Sequence, residues 1–217
     1  SRSVGRASGG SLVNGVPLPD GPFWTVRERP TSFGTETAIG ELVAGLSTIG
    51  REHPGGTRVI IGDVSRPAGH RLSPHRSHQS GRDADIGYYV RGLASQRQFV
   101  APSPGELDAA RTWQLLRFWL ARGSIERVFM DYRLQARVFE YAASHGESVD
   151  YLRSVFQYPG WDDGIITHAS GHRDHFHVRF RCDAWDAACK AHEETQPLKP
   201  PGSAPLVSST ASGTARF

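Results

Sequence analysis

The apolar residues of this chain recur with two periods, one typical of helices and one typical of strands. Apolar positions at helical spacing predict helices over residues 35–51, 104–122 and 132–145. Thr35 can cap the first of these helices, and Gly123 suits the end of the second. Shorter apolar or alternating runs predict five strands, over residues 57–64, 83–90, 124–130, 164–167 and 175–182. This irregular order predicts an α+β fold, in which helices flank a small, mostly antiparallel sheet.

The two ends of the chain differ in composition from this patterned middle. Residues 1–10 are mostly small and predict a flexible lead, whereas residues 195–217 are rich in Pro, Ser, Thr and Gly and predict a loose tail. A chain of 217 residues is long enough to form one sizeable core. We therefore expect a single domain over residues 11–194.

Composition and charge narrow the function only a little. Hydrophobic residues make up 38% of the chain and charged residues 22%. No apolar run reaches the roughly 18 residues that a membrane span requires. The formal net charge of +3 suits an anionic partner. Because no nucleic-acid-binding motif accompanies that charge, we do not expect a nucleic acid as the partner.

The residues able to carry chemistry are concentrated in a long loop and around the last predicted strand. Residues 65–82 are rich in Ser, Pro, Gly, His and Arg and form a loop of a length that is usually functional. Along the last strand the side chains alternate, so His175, His177 and Arg179 point one way and the apolar residues between them point into a core. Two imidazoles on one strand face can place one ring on a metal ion and the other ring beside it.

A carboxylate and a loop histidine would complete a metal site with the last strand. Asp85 can meet His78 only if the loop folds back, which Gly81 permits. Two histidines and one carboxylate form a common catalytic zinc set with a fourth position for water, and a further histidine can take the water's proton. The HExxH motif is absent, which excludes a thermolysin-like site, and neither a GxSxG elbow nor a P-loop is present.

The chain has two cysteines, Cys182 and Cys189, seven residues apart. Their spacing alone is compatible with a local disulfide or with two free thiols. A second cysteine pair that would complete a zinc knuckle is missing from the sequence.

Two motifs resemble those of a known group of enzymes. The segment S-H-x-x-G-x-x-x-D beginning at Ser77 and the segment H-x-H beginning at His175 resemble the zinc peptidases grouped around lysostaphin, the D-Ala-D-Ala peptidases and the hedgehog signalling domain. The wider sequences SHQSGRDADI and GHRDHFHVRFRC are similar to the two signatures of one branch, the penicillin-insensitive murein endopeptidases. The resemblance covers about residues 62–189. It implies the fold of that group and a family disulfide between Cys182 and Cys189.

The resemblance also implies a role for most of the clustered histidines. It makes His78, Asp85 and His177 the ligands of a zinc ion. It makes His175 the general base and His172 a second active-site imidazole, which orients water or stabilises the tetrahedral intermediate.

One zinc ion is expected, because the ligands for a second metal are incomplete. His75 matches a position that some family members use near the metal or for an additional metal, and Asp108 stands where that additional site would draw a carboxylate. Arg111 stands close to where a further histidine would be expected. Asp83 is expected to bond to loop amides. Weaker candidates for binding the free carboxylates of a substrate are three arginines, Arg71, Arg82 and Arg179.

The resemblance implies hydrolysis of the D-alanyl–meso-diaminopimelate cross-links of peptidoglycan by metal-activated water, in the periplasm or outside the cell. Peptidoglycan peptides would then be the partner, and no sequence feature predicts an oligomeric state. Two alternatives remain open at this point. One is a different specificity of the same zinc fold, as a D,D-carboxypeptidase, a dipeptidase or an endolysin. The other is a zinc-containing module that binds the wall without hydrolysing it.

Overall fold

The structure is a computed structural model that describes residues 1–191. The predicted tail over residues 195–217 lies outside the described residues, as do residues 192–194 of the predicted domain. The described part contains four α-helices, which are α1 (Glu36–Glu52), α2 (Ala109–Arg122), α3 (Tyr132–Ser144) and α4 (Val149–Val155). It contains ten strands, which are β1 (Arg2–Arg6), β2 (Gly9–Val13), β3 (Val16–Pro17), β4 (Trp24–Val26), β5 (Phe33–Gly34), β6 (Val59–Ile61), β7 (Asp83–Gly87), β8 (Ile125–Met130), β9 (Ile166–His168) and β10 (His175–Phe180).

Six of the strands form one sheet in the order β4-β6-β7-β10-β8-β9. The three inner pairings are antiparallel, whereas β4 with β6 and β8 with β9 are parallel. The prediction of an α+β fold with a small, mostly antiparallel sheet is therefore confirmed.

The helices cover one face of this sheet. Phe176, Val178 and Phe180 of β10 are buried on that face, as their alternation in the sequence predicts. Trp119 of α2 meets the ring of Phe180 edge-on and donates its indole N–H to a carbonyl of α1. A side chain at Gly45 of α1 would lie within 3 Å of the Trp119 indole, so the glycine allows the two helices to approach closely. The opposite face of the inner strands is left for polar side chains.

The helix ends follow local capping chemistry. The Thr35 hydroxyl accepts a hydrogen bond from the amide of Ala38 at 3.1 Å, and Gly123 ends α2 in the left-handed conformation with a φ of 64°. Helix α2 begins at Ala109 rather than at residue 104. The reason is that Asp108 caps the helix, while the residues before it form a separate turn closed by hydrogen bonds between Ser103 and Glu106.

Residues 1–10, for which composition predicts a flexible lead, take part in regular structure. Strands β1 and β2 pair as a hairpin, with Arg2 opposite Val13. The hairpin is tied to the segment of Cys182–Cys189, whose two cysteines form a disulfide. The amide of Ser3 donates to the Asp186 carboxylate at 3.0 Å. Because these partners lie more than 180 residues away in sequence, local composition does not reveal them.

Within residues 1–191, we find no helix that combines the length and the apolar character needed to cross a membrane.

Candidate functional site

The polar face of the sheet brings a carboxylate and a histidine together by strand register. Strands β7 and β10 are neighbours, and Asp85 lies directly opposite His177. On the other side of β10, His177 lies opposite Phe129 of β8, and the two rings are 5.3 Å apart. Directly opposed side chains on one sheet face have neighbouring Cβ atoms, so this register places both functional groups at one point.

The loop over residues 65–82 folds back onto the same point, as its glycine permits. Gly81 has a φ of 74° and His78 a φ of 64°, both in the left-handed region. The His78 ring is fully buried, and its Nδ1 lies 2.9 Å from the carbonyl oxygen of Val64. The nitrogen that faces a carbonyl oxygen must carry the proton, so Nε2 presents a lone pair to the cluster.

Three atoms from these elements form a nearly equilateral triangle. His78 Nε2 is 3.1 Å from His177 Nδ1 and 3.2 Å from Asp85 Oδ1, and the latter two atoms are 3.2 Å apart. A tetrahedral zinc ion with ligands at about 2.0–2.2 Å separates its donor atoms by about 3.3–3.6 Å. The triangle is thus close to one face of such a coordination tetrahedron. Both carboxylate oxygens of Asp85 are buried, and neither accepts a hydrogen bond from a described residue. A cation would satisfy them, so the residues fit a metal ion.

Asp83 holds two of the triangle's members in position. Its Oδ2 accepts the backbone N–H of His78 at 2.8 Å, while its Oδ1 lies 3.0 Å from His177 Nε2 and accepts a hydrogen bond from Arg179 Nε at 2.7 Å. This contact fixes the His177 ring with Nδ1 toward the triangle, which is how carboxylates commonly orient histidine ligands. Arg179 is buried against Asp83 and is not exposed for a substrate.

The electrostatic environment of the triangle favours positive charge. Burial alone would raise the pKa values of Asp83 and Asp85. Arg179 and the histidines hold the pKa of Asp83 well below the usual range, and His78 and His177 do the same for Asp85. Burial alone would lower the pKa of His177, but the charge of Asp83, the hydrogen bond to Asp83 and the close contact with Asp85 raise that pKa to about 9. Two ionised carboxylates at a buried point attract a cation.

His175 lies at the edge of the triangle with a carboxylate behind it. Its Nε2 is 3.7 Å from Asp85 Oδ1, and its Nδ1 is 2.6 Å from an oxygen of Asp174. The ring also stacks on Phe99, with centroids 4.6 Å apart and planes 17° from parallel. The sequence reasoning missed Asp174 and Phe99. Asp174 directly precedes His175 in the motif, so the sequence could have indicated a carboxylate partner for this histidine. No local sequence feature identifies Phe99 as a neighbour of His175.

His172 lies beside both strand histidines, with its ring centroid 5.0 Å from His175 and 6.0 Å from His177. Its Nδ1 is 3.2 Å from the carbonyl oxygens of Ala169 and Ser170. Burial, followed by the charges of the neighbouring histidines, lowers the pKa of His172 to about 4. The imidazole is therefore neutral near pH 7, with its proton on Nδ1 and a lone pair on Nε2.

His75 also reaches the site, where its ring has a carboxylate on each side. Its Nε2 is 2.8 Å from Asp63, and its Nδ1 is 3.7 Å from Asp85 Oδ2. His75, His78 and Asp85 offer ligand atoms within 4.8 Å of one another, so His75 lies close enough to join a metal site. Asp63 in turn accepts a hydrogen bond from Arg27 at 2.7 Å, and the Arg27 guanidinium lies over the Phe99 ring. No sequence signal pointed to Asp63 or Arg27.

Three of the candidates lie elsewhere. Asp108 caps α2, where it accepts the amide of Arg111 and lies 3.4 Å from its guanidinium, so it is not brought to His75. Arg82 is 1% exposed, pairs with Glu126 at 2.8 Å and donates to a backbone carbonyl. The guanidinium is therefore engaged inside the protein, and this placement does not support the predicted contact of Arg82 with substrate. Arg71 is exposed on the loop and has no ion pair within residues 1–191.

An α+β sheet with imidazoles and carboxylates gathered on the face opposite its helices is a common arrangement in hydrolase active sites. The sequence profile of the family described as penicillin-insensitive murein endopeptidase matches residues 3–143. The chain therefore belongs to this peptidase family, and the resemblance of its motifs is confirmed.

Individual relatives extend the similarity beyond that range. A penicillin-insensitive murein endopeptidase of Pectobacterium atrosepticum is 29% identical over 211 residues, which cover 89% of this chain and 69% of the relative. Proteins with the same name from Yersinia enterocolitica and Salmonella arizonae are 27% and 26% identical, each over 93% of this chain and over 72% and 73% of their own lengths.

Proposed function

We propose that the protein is a zinc-dependent endopeptidase that hydrolyses D-alanyl–meso-diaminopimelate cross-links in peptidoglycan. Family membership supports a murein peptide as the substrate. The proposal of a zinc ion rests on the triangle formed by His78, Asp85 and His177. It also rests on the two buried Asp85 oxygens, which accept no hydrogen bond from a described residue. A non-catalytic module would not need the polarised histidine that stands beside the triangle.

Two imidazoles and one carboxylate suit zinc better than the hard cations calcium and magnesium, which prefer oxygen ligands alone. Zinc in such a set supplies Lewis-acid polarisation of a carbonyl and lowers the pKa of water. The chain's own contribution is to hold His78, Asp85 and His177 in place before the metal binds. Asp83 and the Val64 carbonyl do this by fixing the two rings.

His175 acts as the general base. Its Nδ1 donates to Asp174, so Nε2 is free to accept a proton on the side that faces Asp85. In the hydrolysis, the water oxygen bonds to the D-alanyl carbonyl carbon and one water proton moves to His175. The C–N bond then breaks, and the same proton passes to the leaving amine. Asp174 stabilises the imidazolium that exists between these two transfers.

His172 orients the water rather than the oxyanion. Its Nδ1–H is directed at the carbonyl oxygens of Ala169 and Ser170, so its neutral Nε2 is a hydrogen-bond acceptor. An acceptor can hold a water O–H but cannot donate to a developing negative oxygen. Of the two roles considered from the sequence, this tautomer supports the first.

One zinc ion suffices for this scheme. His75 is engaged by Asp63, and Asp108 is engaged by Arg111 at the start of α2. Both groups would have to leave their partners to hold a second ion together. We therefore assign His75 to the surroundings of the single ion, where it is hydrogen-bonded to Asp63.

Outside the cytoplasm is the compartment that fits this substrate. Peptidoglycan lies in the periplasm or beyond, and the Cys182–Cys189 disulfide suits an oxidising environment. The bond ties the end of β10 to the N-terminal hairpin through main-chain contacts at Gly5.

The experiment is a digest of cross-linked muropeptide dimers with metal-stripped protein, before and after one equivalent of zinc. Chromatography and mass spectrometry should show dimer converted to monomer only after zinc is added. Release of free D-alanine would instead indicate a carboxypeptidase. Protein that binds zinc tightly and leaves every peptide intact would contradict the proposal.

A further inference from the structure

Two aromatic side chains form a flat platform on the surface outside the metal site. Tyr132 and Trp161 stack with ring centroids 4.6 Å apart and planes 3° from parallel. We call this pair the aromatic platform. Trp161 remains 68% exposed although Tyr132 stacks on its indole and the His168 ring meets it edge-on at 6.3 Å. An exposed indole face is costly to hydrate and is a typical anchor for a ligand.

The platform is held by several contacts. Tyr132 begins α3, and its hydroxyl donates to the carbonyl of Pro159 at 2.9 Å. Its backbone amide donates to Nδ1 of His168 at 3.2 Å. The Tyr158 ring packs edge-on against Tyr132 from the side, at 5.5 Å. A ring fixed in this way loses little side-chain entropy when a ligand covers it.

The platform lies at the same end of the sheet as the proposed general base. Strand β8 ends at Met130 and β9 at His168, and these residues are paired. Strand β10 runs in the opposite direction and begins there with His175. At the usual strand spacing, β9 lies about 10 Å from β10 across the sheet. The segment from His168 to His172 connects the two places, so a ligand on the platform would border the reaction site.

A cleft of about 300 Å³ adjoins the platform. This volume is at the lower end of the range of small-molecule sites, about 300–1,000 Å³. Its lining combines an aromatic wall with polar side chains and includes Arg153, Gln157, Tyr158, Gly160 and Asp162. Asp162 and Asp163 are exposed directly after Trp161 and offer hydrogen-bond acceptors at its edge.

This combination matches the chemistry of a sugar ring. The C–H groups on one face of a pyranose carry partial positive charge and pack against the negative face of an aromatic ring. Its hydroxyl groups donate hydrogen bonds to carboxylates. The two carboxylates also disfavour an anionic ligand, such as a nucleic acid or the free carboxylate end of a peptide.

We infer that the aromatic platform is a saccharide subsite that binds an N-acetylhexosamine ring of the glycan strand next to the peptide being cut. The identity of the sugar rests on the proposed function, because the glycan is the neutral part of the same substrate. The subsite would let the enzyme act on peptides still attached to glycan in preference to free peptides.

The test compares Trp161→Ala with Trp185→Ala. Trp185 is a matched control, since it is 64% exposed and lies in the disulfide segment, with no aromatic stacking partner among the described residues. Each variant is assayed on a cross-linked peptide dimer without sugar and on the same dimer carrying its disaccharides. Loss of the stacking surface should lower kcat/KM on the glycosylated dimer about tenfold, which corresponds to about 1.4 kcal/mol, for Trp161→Ala only.

A binding measurement separates this inference from the proposed activity. Peptide-free N-acetylglucosamine oligomers should bind metal-stripped wild-type protein and the Trp185→Ala variant, with binding about tenfold weaker in Trp161→Ala. Sugar-free dimer should be cut equally by all three proteins. If the oligomers bind at the platform but no dimer is cut, the proposed activity fails and the subsite stands. The subsite is refuted if Trp161→Ala binds oligomers like the wild type, or if the variant instead changes only the oligomeric state.

Discussion

The pairing of Asp174 with His175 leads to a prediction that isolates positioning of the base from metal binding. Asp174→Asn removes the carboxylate charge and keeps the size of the side chain. Asp174 accepts a 2.6 Å hydrogen bond from His175 Nδ1. It is not among the contacts of the triangle formed by His78, Asp85 and His177. The carboxylate side chain is 42% exposed, so its removal should leave the free energy of unfolding almost unchanged.

The magnitude follows from that contact. A hydrogen bond to a charged group contributes about 1.5–3 kcal/mol, and the exposure of Asp174 argues for the lower end. We therefore expect kcat on cross-linked dimer to fall about tenfold, with KM and zinc affinity unchanged. KM should not move because Asp174 stabilises the imidazolium, which exists only during the reaction.

The assay combines steady-state kinetics with a zinc titration against a competing chelator. Asp150→Asn serves as the control, because Asp150 is an exposed aspartate on α4 without a histidine partner within the described residues. Unchanged kcat in Asp174→Asn would refute the role of the pair. A loss of zinc parallel to the loss of activity would show that Asp174 acts on the metal site, and the reasoning about His175 would fail.

Three further predictions concern the residues that support the site and the fold. Asp83→Asn should weaken zinc binding about 10–100-fold in a chelator competition, because His177 loses the carboxylate that orients its ring; unchanged affinity would contradict this. Glu126→Gln leaves the buried Arg82 charge without its 2.8 Å partner and should lower the free energy of unfolding in urea by about 3–5 kcal/mol, whereas a change below about 1 kcal/mol would show that the pair is not effectively buried. Replacing both Cys182 and Cys189 by serine should lower the free energy of unfolding by about 2–3 kcal/mol, since the disulfide closes a short loop. As a control, the reduced wild-type protein should be as stable as the double variant.

The sequence predicted the elements whose stability is local. Helix α1 begins after Thr35 as predicted, because its capping hydroxyl and its apolar spacing lie within one segment. Strand β10 shows the predicted alternation, with Phe176 buried on the helix side and His177 on the other. The short strands β1 to β5 and the helix α4 were not predicted. These strands have two to five residues each, which is too short for a clear periodic pattern, and β4 depends on its pairing with the distant β6.

The distinction between local and long-range determinants also applies to the site. The candidate ligands can be recognised from local motifs, whereas the residues around them cannot. His78 and Asp85 stand in one motif, and the left-handed conformations of His78 and Gly81 let the loop bring them together. The residues that orient them act across the fold. Asp63 reaches the site beside β6, and Phe99 reaches it from a loop without periodic pattern. Sequence spacing cannot show such contacts, because they depend on the sheet order that places β6, β7 and β10 side by side.

This arrangement explains why the site can be both rigid and open. The triangle of candidate ligands is built on two neighbouring strands and on a loop fixed by Asp83. The conformational entropy of positioning these side chains is therefore lost when the sheet folds, before a metal binds. The base and the aromatic platform lie instead where β10 begins and β9 ends, beside the segment between them. The proposed metal-binding floor next to an accessible rim would suit a substrate that is part of a large cross-linked polymer, because only the reacting bond would have to enter. Replacing Asp174, at the rim, should therefore lower turnover of every cross-linked dimer without unfolding the protein. Replacing Trp161, also at the rim, should lower turnover of the glycosylated dimer alone.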